Sequence, residues 1–312
     1  MKTSVLNISV VIPAYNAEKT IERAVLSVLK QPEVNEVIIV EDGCNDQTLT
    51  ICKKLEAKYP IVKVLQHDQN QNLGPSATRN KGILAAQNQW IAFLDADDYY
   101  LDNRFAQTTK VISSVDLVDG VYEAIGMEEK EGAVKLTTLN KNTITGNELF
   151  YEITPIGNSG RFCADGFTVK KKVLQEAGLF EEDMRIGEDV LLWLKCAVIA
   201  NLLPGNIENA VTMFSRENDS VTSNIEVRYY LIVVYKKLLS WKHPLFLRSH
   251  KVKVVNKLLY IKLQQYSKKE AKVLGLAKYL VFLITTIVKY PYYICSKELI
   301  ASLKDLKIFV KT

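Results

Sequence analysis

Three aspartates crowd the segment Phe93-Leu94-Asp95-Ala96-Asp97-Asp98, with Tyr99 and Tyr100 behind them. Carboxylates set this close repel one another unless a cation neutralises them. Alternate positions, Asp95 and Asp97, can point toward one ligand across a tight turn. A hard cation, Mg²⁺ or Mn²⁺, is held by one or two such carboxylates and completes its shell with phosphate oxygens. A solvated acidic turn that caps the next helix accounts for the same residues. Asp42, in Val40-Glu41-Asp42-Gly43, can accept a hydrogen bond from a ring N–H or a ribose hydroxyl, or simply shape a turn ahead of Gly43. Arg79 follows Gly74-Pro75-Ser76, where a guanidinium and a helix N-terminus both favour phosphate; a surface cation is the alternative. Glu188-Asp189 follows Gly187 and can supply a catalytic base or no more than a helix cap.

Other chemistries find little support. The three histidines, His67, His243 and His250, stand in no triad-like context, which speaks against Ser/His/Asp catalysis. Neither Gly-x-Gly-x-x-Gly nor Gly-x-x-x-x-Gly-Lys occurs, so dinucleotide and P-loop readings drop away. The five cysteines are scattered without metal-knuckle spacing, which suits a reducing compartment. After Lys2 no apolar core of signal-peptide length follows, and a cytoplasmic location is the expectation.

The elements that must position these residues alternate in type. Apolar, β-branched strands are predicted over Asn7–Ile12, Glu36–Val40, Val62–Leu65 and Trp90–Leu94. Helical spacing occupies Thr20–Leu29, Thr48–Tyr59 and Ala77–Ala86 between them. Strand and helix in alternation, with nearly uninterrupted apolar strands, predict an α/β fold with a mostly parallel sheet covered on both faces. Ligands of such sheets bind beyond the carboxyl ends of the strands. Tyr15 and Asn16, Glu41 and Asp42, and Asp95 to Asp98 all fall at those ends. Residues 116–145 read as a short antiparallel section, and Val173–Gly178 and Asp189–Ala200 as further helices.

Taken together, Ile8–Asn16, Val40–Asp46, Gly74–Asn80, Phe93–Asp98 and Gly178-Leu179-Phe180 through Gly187-Glu188-Asp189 closely resemble glycosyltransferase family 2 in order and spacing over about residues 6–222. The resemblance implies a GT-A fold and an inverting transfer from a nucleotide sugar, UDP-linked by family habit, to a hydroxyl acceptor. It assigns Pro13, Tyr15 and Asp42 to the nucleotide base, Arg79 to the donor, and Asp95 to the ribose or the metal. Asp97 becomes the principal ligand of a divalent metal, and Asp189 the general base with Glu188 alongside. Asp98 is left a structural part. The chain departs from the family in Ser215–Ser220, where Asn218 stands near the place of a histidine that many members direct at the metal or diphosphate. A silent nucleotide-sugar-binding module of the same fold is a rival, and a nucleotidyltransferase a weaker one. The latter needs a Gly-rich, basic phosphate loop after the first strand, where Pro13-Ala14-Tyr15-Asn16 stands instead.

Charge divides the chain. Residues 1–227 carry 22 Lys+Arg and 32 Asp+Glu, whereas residues 228–312 carry 18 and 3. The resemblance implies a glycosyltransferase domain over 1–227, with a donor half at 1–115 and an acceptor half at 116–227, and the charge change marks off a basic amphipathic helical tail at 228–312. The longest uncharged run of that tail, Tyr279–Val288, ends at Lys289 and Pro291, short of the roughly 20 residues a spanning helix needs. Lysines interleaved with large apolar residues fit helices lying on anionic lipid; a bundle packed on the catalytic domain is the alternative. Peripheral contact with the inner face of the cell membrane, and an acceptor in bacterial surface polysaccharide or lipopolysaccharide synthesis, follow as expectations. Nucleic acid is not an expected partner.

Overall fold

The computed structural model describes residues 6–128, 134–139, 146–184, 186–215, 227–269 and 272–293, together with Ser296, Lys297 and Leu299. The chain divides into two compact units, Met1–Ser223 and Asn224–Thr312.

The first unit is built on β1 (Ile8–Ala14), β2 (Val34–Glu41), β3 (Val62–Gln66) and β4 (Trp90–Phe93). The apolar runs of β1, β2 and β4 are buried on both faces, as a covered parallel sheet requires, whereas the edge strand β3 buries only Val62 and Val64. β1 pairs in parallel with β2 and with β4, and β2 with β3. Helices α1 (Ile21–Leu29), α2 (Thr48–Lys58) and α3 (Pro75–Ala85) make the crossovers. Alternate residues of β1 go to opposite sides. Ile8, Val10 and Ile12 join a core with Ile21, Val25, Cys52 and Leu55. Val11 faces α3, so closely that a Cβ at Gly82 would collide with its Cγ1.

The sheet then departs from simple alternation. β5 (Tyr99–Tyr100), α4 (Ala106–Ser114), β6 (Gly120–Tyr122), β7 (Ile125–Glu128), β8 (Val134–Thr137) and α5 (Gly146–Glu152) follow. A 3-10 turn at Ala164–Gly166 leads into β9 (Phe167–Lys170), α6 (Lys171–Ala177), α7 (Glu188–Ile199), β10 (Leu202–Pro204) and β11 (Thr212–Phe214). The main sheet runs β10-β6-β9-β4-β1-β2-β3, and a smaller one β5-β11-β7-β8. β9 is antiparallel to both β4 and β6, so the sheet is mixed where β9 enters and parallel elsewhere.

The second unit contains α8 (Val227–Ser240), α9 (Arg248–Lys269) and α10 (Lys272–Lys289). α9 packs against both α8 and α10. Tyr235, Val254, Leu259 and Tyr279 are buried, and the Tyr293 hydroxyl donates to Asn256 Oδ1 at 3.0 Å. No described helix is long and apolar enough to cross a membrane.

Candidate active site

At the carboxyl end of β1, Pro13 keeps its register with Val40 but lies past the end of the β4 ladder, which stops at Val11 and Phe93. Tyr15 is exposed, and Asn16 turns the chain with φ of 48°. The Asn16 Oδ1 accepts the N–H of Asn45 at 3.0 Å, joining the first two strand ends. Glu41 is buried, accepting from the Cys44 N–H and from Gln66 Nε2. Asp42, also buried, accepts the backbone N–H groups of Leu73 (2.8 Å) and Gly74 (3.0 Å), one on each oxygen. It thereby fixes the loop that enters α3. Gly43 must be glycine: its φ is 68°, and a Cβ would stand 2.8 Å from Asn70 O and Asn72 N.

α3 opens with Gly74 in a glycine-only conformation and Pro75 at its first turn, where the missing proline N–H costs nothing. One turn on, Arg79 is buried and donates to Asp95 Oδ1 at 2.6 Å. Its Nη1 lies 3.6 Å from Glu188 Oε1, and its guanidinium sits 5.6 Å from the centroid of the Phe180 ring. Burial alone would loosen its proton; Asp95 first, then Glu188 and Asp189, more than reverse this. One cation thus joins the acid at the end of β4 to the acids at the start of α7.

The acidic turn folds on itself, with the Asp98 N–H donating to the Asp95 carbonyl at 3.0 Å. Asp98 Oδ1 accepts the Ser215 N–H at 2.8 Å, and its buried carboxyl meets that of Asp165, with which it can share a proton. Carboxylate oxygens of Asp95, Asp98 and Asp165 lie within 4.8 Å of one another. Burial, and next the charge of its neighbours, raises the carboxyls of Asp97, Asp98 and Asp165, with Asp98 reaching about 7. Only a shared proton or a cation relieves such a cluster. Its hard oxygen donors suit Mg²⁺ or Mn²⁺, and the half-buried Asp95 opens the cluster toward the rim where Asp97 stands. Asp97 is outside that triad; it is half-buried at the rim, and its carbonyl accepts Arg23 Nη2 at 2.6 Å.

Asp165 is the site residue that sequence reasoning missed. It reaches the acidic turn because β9 runs antiparallel beside β4, which lets the Asp95 N–H donate to Asp165 Oδ1 at 3.1 Å. Its own carbonyl accepts from Arg104 Nη2 (3.0 Å) and Thr212 Oγ1 (3.0 Å). Arg104 is in turn paired with Glu123, both fully buried, and Glu123 also accepts from Thr108 Oγ1 at 2.7 Å. Nothing local in Cys163-Ala164-Asp165-Gly166 marks this beyond an acid two residues ahead of the short strand-like run Phe167-Thr168-Val169.

α7 begins after Gly187, whose φ is 81°. Glu188 is buried and pushed up to about 7 by burial first and Asp189 second, against the pull of Arg79. Asp189 is half-buried, and its Oδ1 accepts the Val190 N–H at 2.7 Å. The approach to α7 is latched to α3 by Asn80, which donates to the Phe180 carbonyl and to Glu182 Oε1 and accepts the Phe180 N–H, each at 2.9 Å. Arg79, Asp95, Glu188 and Asp189 therefore form one electrostatic group, with Asp97 beside it. Pro13, Tyr15 and Asp42 lie at the neighbouring strand ends, and Asp42 is tied to that group through the loop into α3. Asn218 and the rest of Arg216–Ser220 lie outside the described residues.

Comparison with known proteins bears on the family and the fold. Residues 9–176 match the glycosyl transferase family 2 pattern. The minor teichoic acid biosynthesis protein GgaA of Bacillus subtilis is 28% identical over 59% of this chain and 42% of its own. An uncharacterized glycosyltransferase of Haemophilus influenzae is 34% identical over 43% of this chain and 53% of its own. Among solved structures, S. aureus TarS 1-349 in complex with UDP-GlcNAc shares the fold, with a TM-score of 0.64 at 20% identity over 88% of this chain and 80% of that one. The chain spans between 20% and 54% of the length of eight curated relatives that it matches. With more than half its residues inside the pattern, the chain belongs to glycosyl transferase family 2.

Proposed function

We propose that the first unit is an inverting glycosyltransferase that moves a sugar from a UDP-linked donor to a hydroxyl acceptor in bacterial surface polysaccharide or lipopolysaccharide synthesis. The observation that carries this reading is Arg79, held at 2.6 Å from Asp95 and 3.6 Å from Glu188. It sets a cation suited to a diphosphate between the acidic turn of β4 and the carboxylates of α7. The UDP-GlcNAc bound by TarS and the teichoic acid role in the name of GgaA support the donor and acceptor classes.

In this reading Pro13, Tyr15 and Asp42 receive the base, and Arg79 steadies the diphosphate. Asp97 and Asp95 would hold a divalent cation at the open rim, Asp95 being the carboxylate that this rim shares with the buried Asp98 and Asp165 behind it. When bound, that cation supplies charge neutralisation for the departing diphosphate. Asp189 takes the proton of the acceptor hydroxyl, whose oxygen attacks the anomeric carbon opposite the diphosphate, so the configuration inverts. Glu188, beside Arg79, keeps the local charge in balance. The second unit makes peripheral contact with anionic lipid at the inner face of the cell membrane, where lipid-linked acceptors reside.

The test is incubation with a panel of nucleotide sugars and Mn²⁺, following release of nucleotide diphosphate. Turnover with a UDP-sugar, lost in Asp97→Asn, is expected. No turnover with any donor, together with no effect of Asp97→Asn on donor binding, would sink the enzyme reading and leave a binding module.

A further inference from the structure

α10 is apolar on two opposite faces. Tyr279, Leu283 and Thr286 are buried on one side. On the other, Val281, Ile284 and Val288 are 63%, 61% and 75% exposed, with Leu280 at their flank. Positions 281, 284 and 288 fall within one narrow stripe of a helix of 3.6 residues per turn. Lys278 and Lys289 border that stripe on its other flank, both exposed. A soluble helix whose outer face faces water carries polar residues there, so this stripe is built for an apolar neighbour.

Charge says which neighbour. The described residues 227–269 and 272–293 include no aspartate or glutamate and fourteen lysines and arginines. A second copy of the same unit would bring two such surfaces together and be repelled. An anionic bilayer offers apolar depth for the valines and isoleucine and negative headgroups for the flanking lysines. We propose that α10 lies in the plane of an anionic membrane with Val281, Ile284 and Val288 buried at the headgroup boundary. The inference rests on the membrane contact proposed above and names the element that makes it. Lying flat is the geometry available: Lys272, Lys278 and Lys289 punctuate the helix, and Pro291 follows it.

The test is co-sedimentation of the full chain with vesicles of equal parts phosphatidylcholine and phosphatidylglycerol, beside vesicles of phosphatidylcholine alone. Wild type should bind the anionic vesicles, weakening as salt rises. Val281→Glu/Ile284→Glu should lower the partition coefficient roughly tenfold or more, with nucleotide diphosphate release and circular dichroism unchanged. Val281→Ala/Ile284→Ala, which retains the helix, should lose binding in the same direction. Undiminished binding of both variants overturns the role of α10 and leaves the membrane contact of the unit standing. Failure of wild type to bind overturns both. Equal binding to phosphatidylcholine alone overturns the charge argument. A wild-type dimer that becomes monomeric in the variants, without vesicle binding, assigns the stripe to a second copy instead.

Discussion

A buried guanidinium loses its hydration at a cost of several kcal/mol unless carboxylates and hydrogen bonds replace it. Arg79 meets that condition with Asp95 and Glu188, and its Nε is left buried without a partner. Within this group Asp189 is less enclosed than Glu188, and its second oxygen has no hydrogen-bond partner among the described residues beside the one that accepts the Val190 N–H. That is the character a base needs if it is to reach an incoming hydroxyl. Asp189→Asn retains size and hydrogen bonding but cannot take a proton, so kcat should fall roughly 10²- to 10⁴-fold. Nucleotide affinity by titration calorimetry should stay near wild type, because the base acts on the acceptor. A variant with wild-type turnover would move the base to another residue. The sequence exposed Asp95, Asp97, Arg79 and Asp189 because each follows an apolar run or opens a helix. Asp165 carries no such mark: its place depends on β9 pairing with β4 some seventy residues away, and no local period encodes that pairing.

Elements, in turn, were legible in proportion to the strength of their own periodicity. The four parallel strands and the helices between them follow from continuous β-branched runs and from apolar spacing of three and four. β5, β10 and β11 are two or three residues long, too short for any period, and form because neighbours offer an edge. The link between the two halves of the site is also tertiary. Asn80, midway along α3, reads as an ordinary polar helix residue, yet its side chain satisfies both the N–H and the carbonyl of buried Phe180. Asn80→Ala leaves those two groups without partners, a loss of about 1–3 kcal/mol. Urea denaturation should register it, and kcat should fall more than donor affinity, since the loop leading to Glu188 and Asp189 loses its anchor while Arg79 keeps Asp95. Unchanged stability would mean that Phe180 is held by packing against Phe93 and Trp193 alone.

At the scale of the whole molecule, charge is sorted: the residues up to 227 are net acidic and those beyond are strongly basic. A few of those acids sit where they are costly, as buried carboxyls around Arg79, and this gives stability a pH dependence of definite sign. Glu188 sits at about 7 in the folded chain against an ordinary 4.5, and Asp98 at about 7 against 3.8. A carboxyl raised on folding holds its proton more tightly in the native state. Its contribution is full below the unfolded value and is lost as pH rises through about 7. Asp46, Glu56 and Glu36 are lowered, with Thr48, Lys53 and Lys63 among the partners that outweigh their burial, and lose their contribution only as pH falls toward the acid side. The melting temperature of the metal-free chain should therefore decline between about pH 5 and pH 8. Because the chain has two units, the comparison that isolates the site is Glu188→Gln against wild type. The substitution removes one titrating group, so the decline should be shallower, with the two curves converging at the acid end. Parallel curves across that range would show that Glu188 does not change its proton affinity on folding.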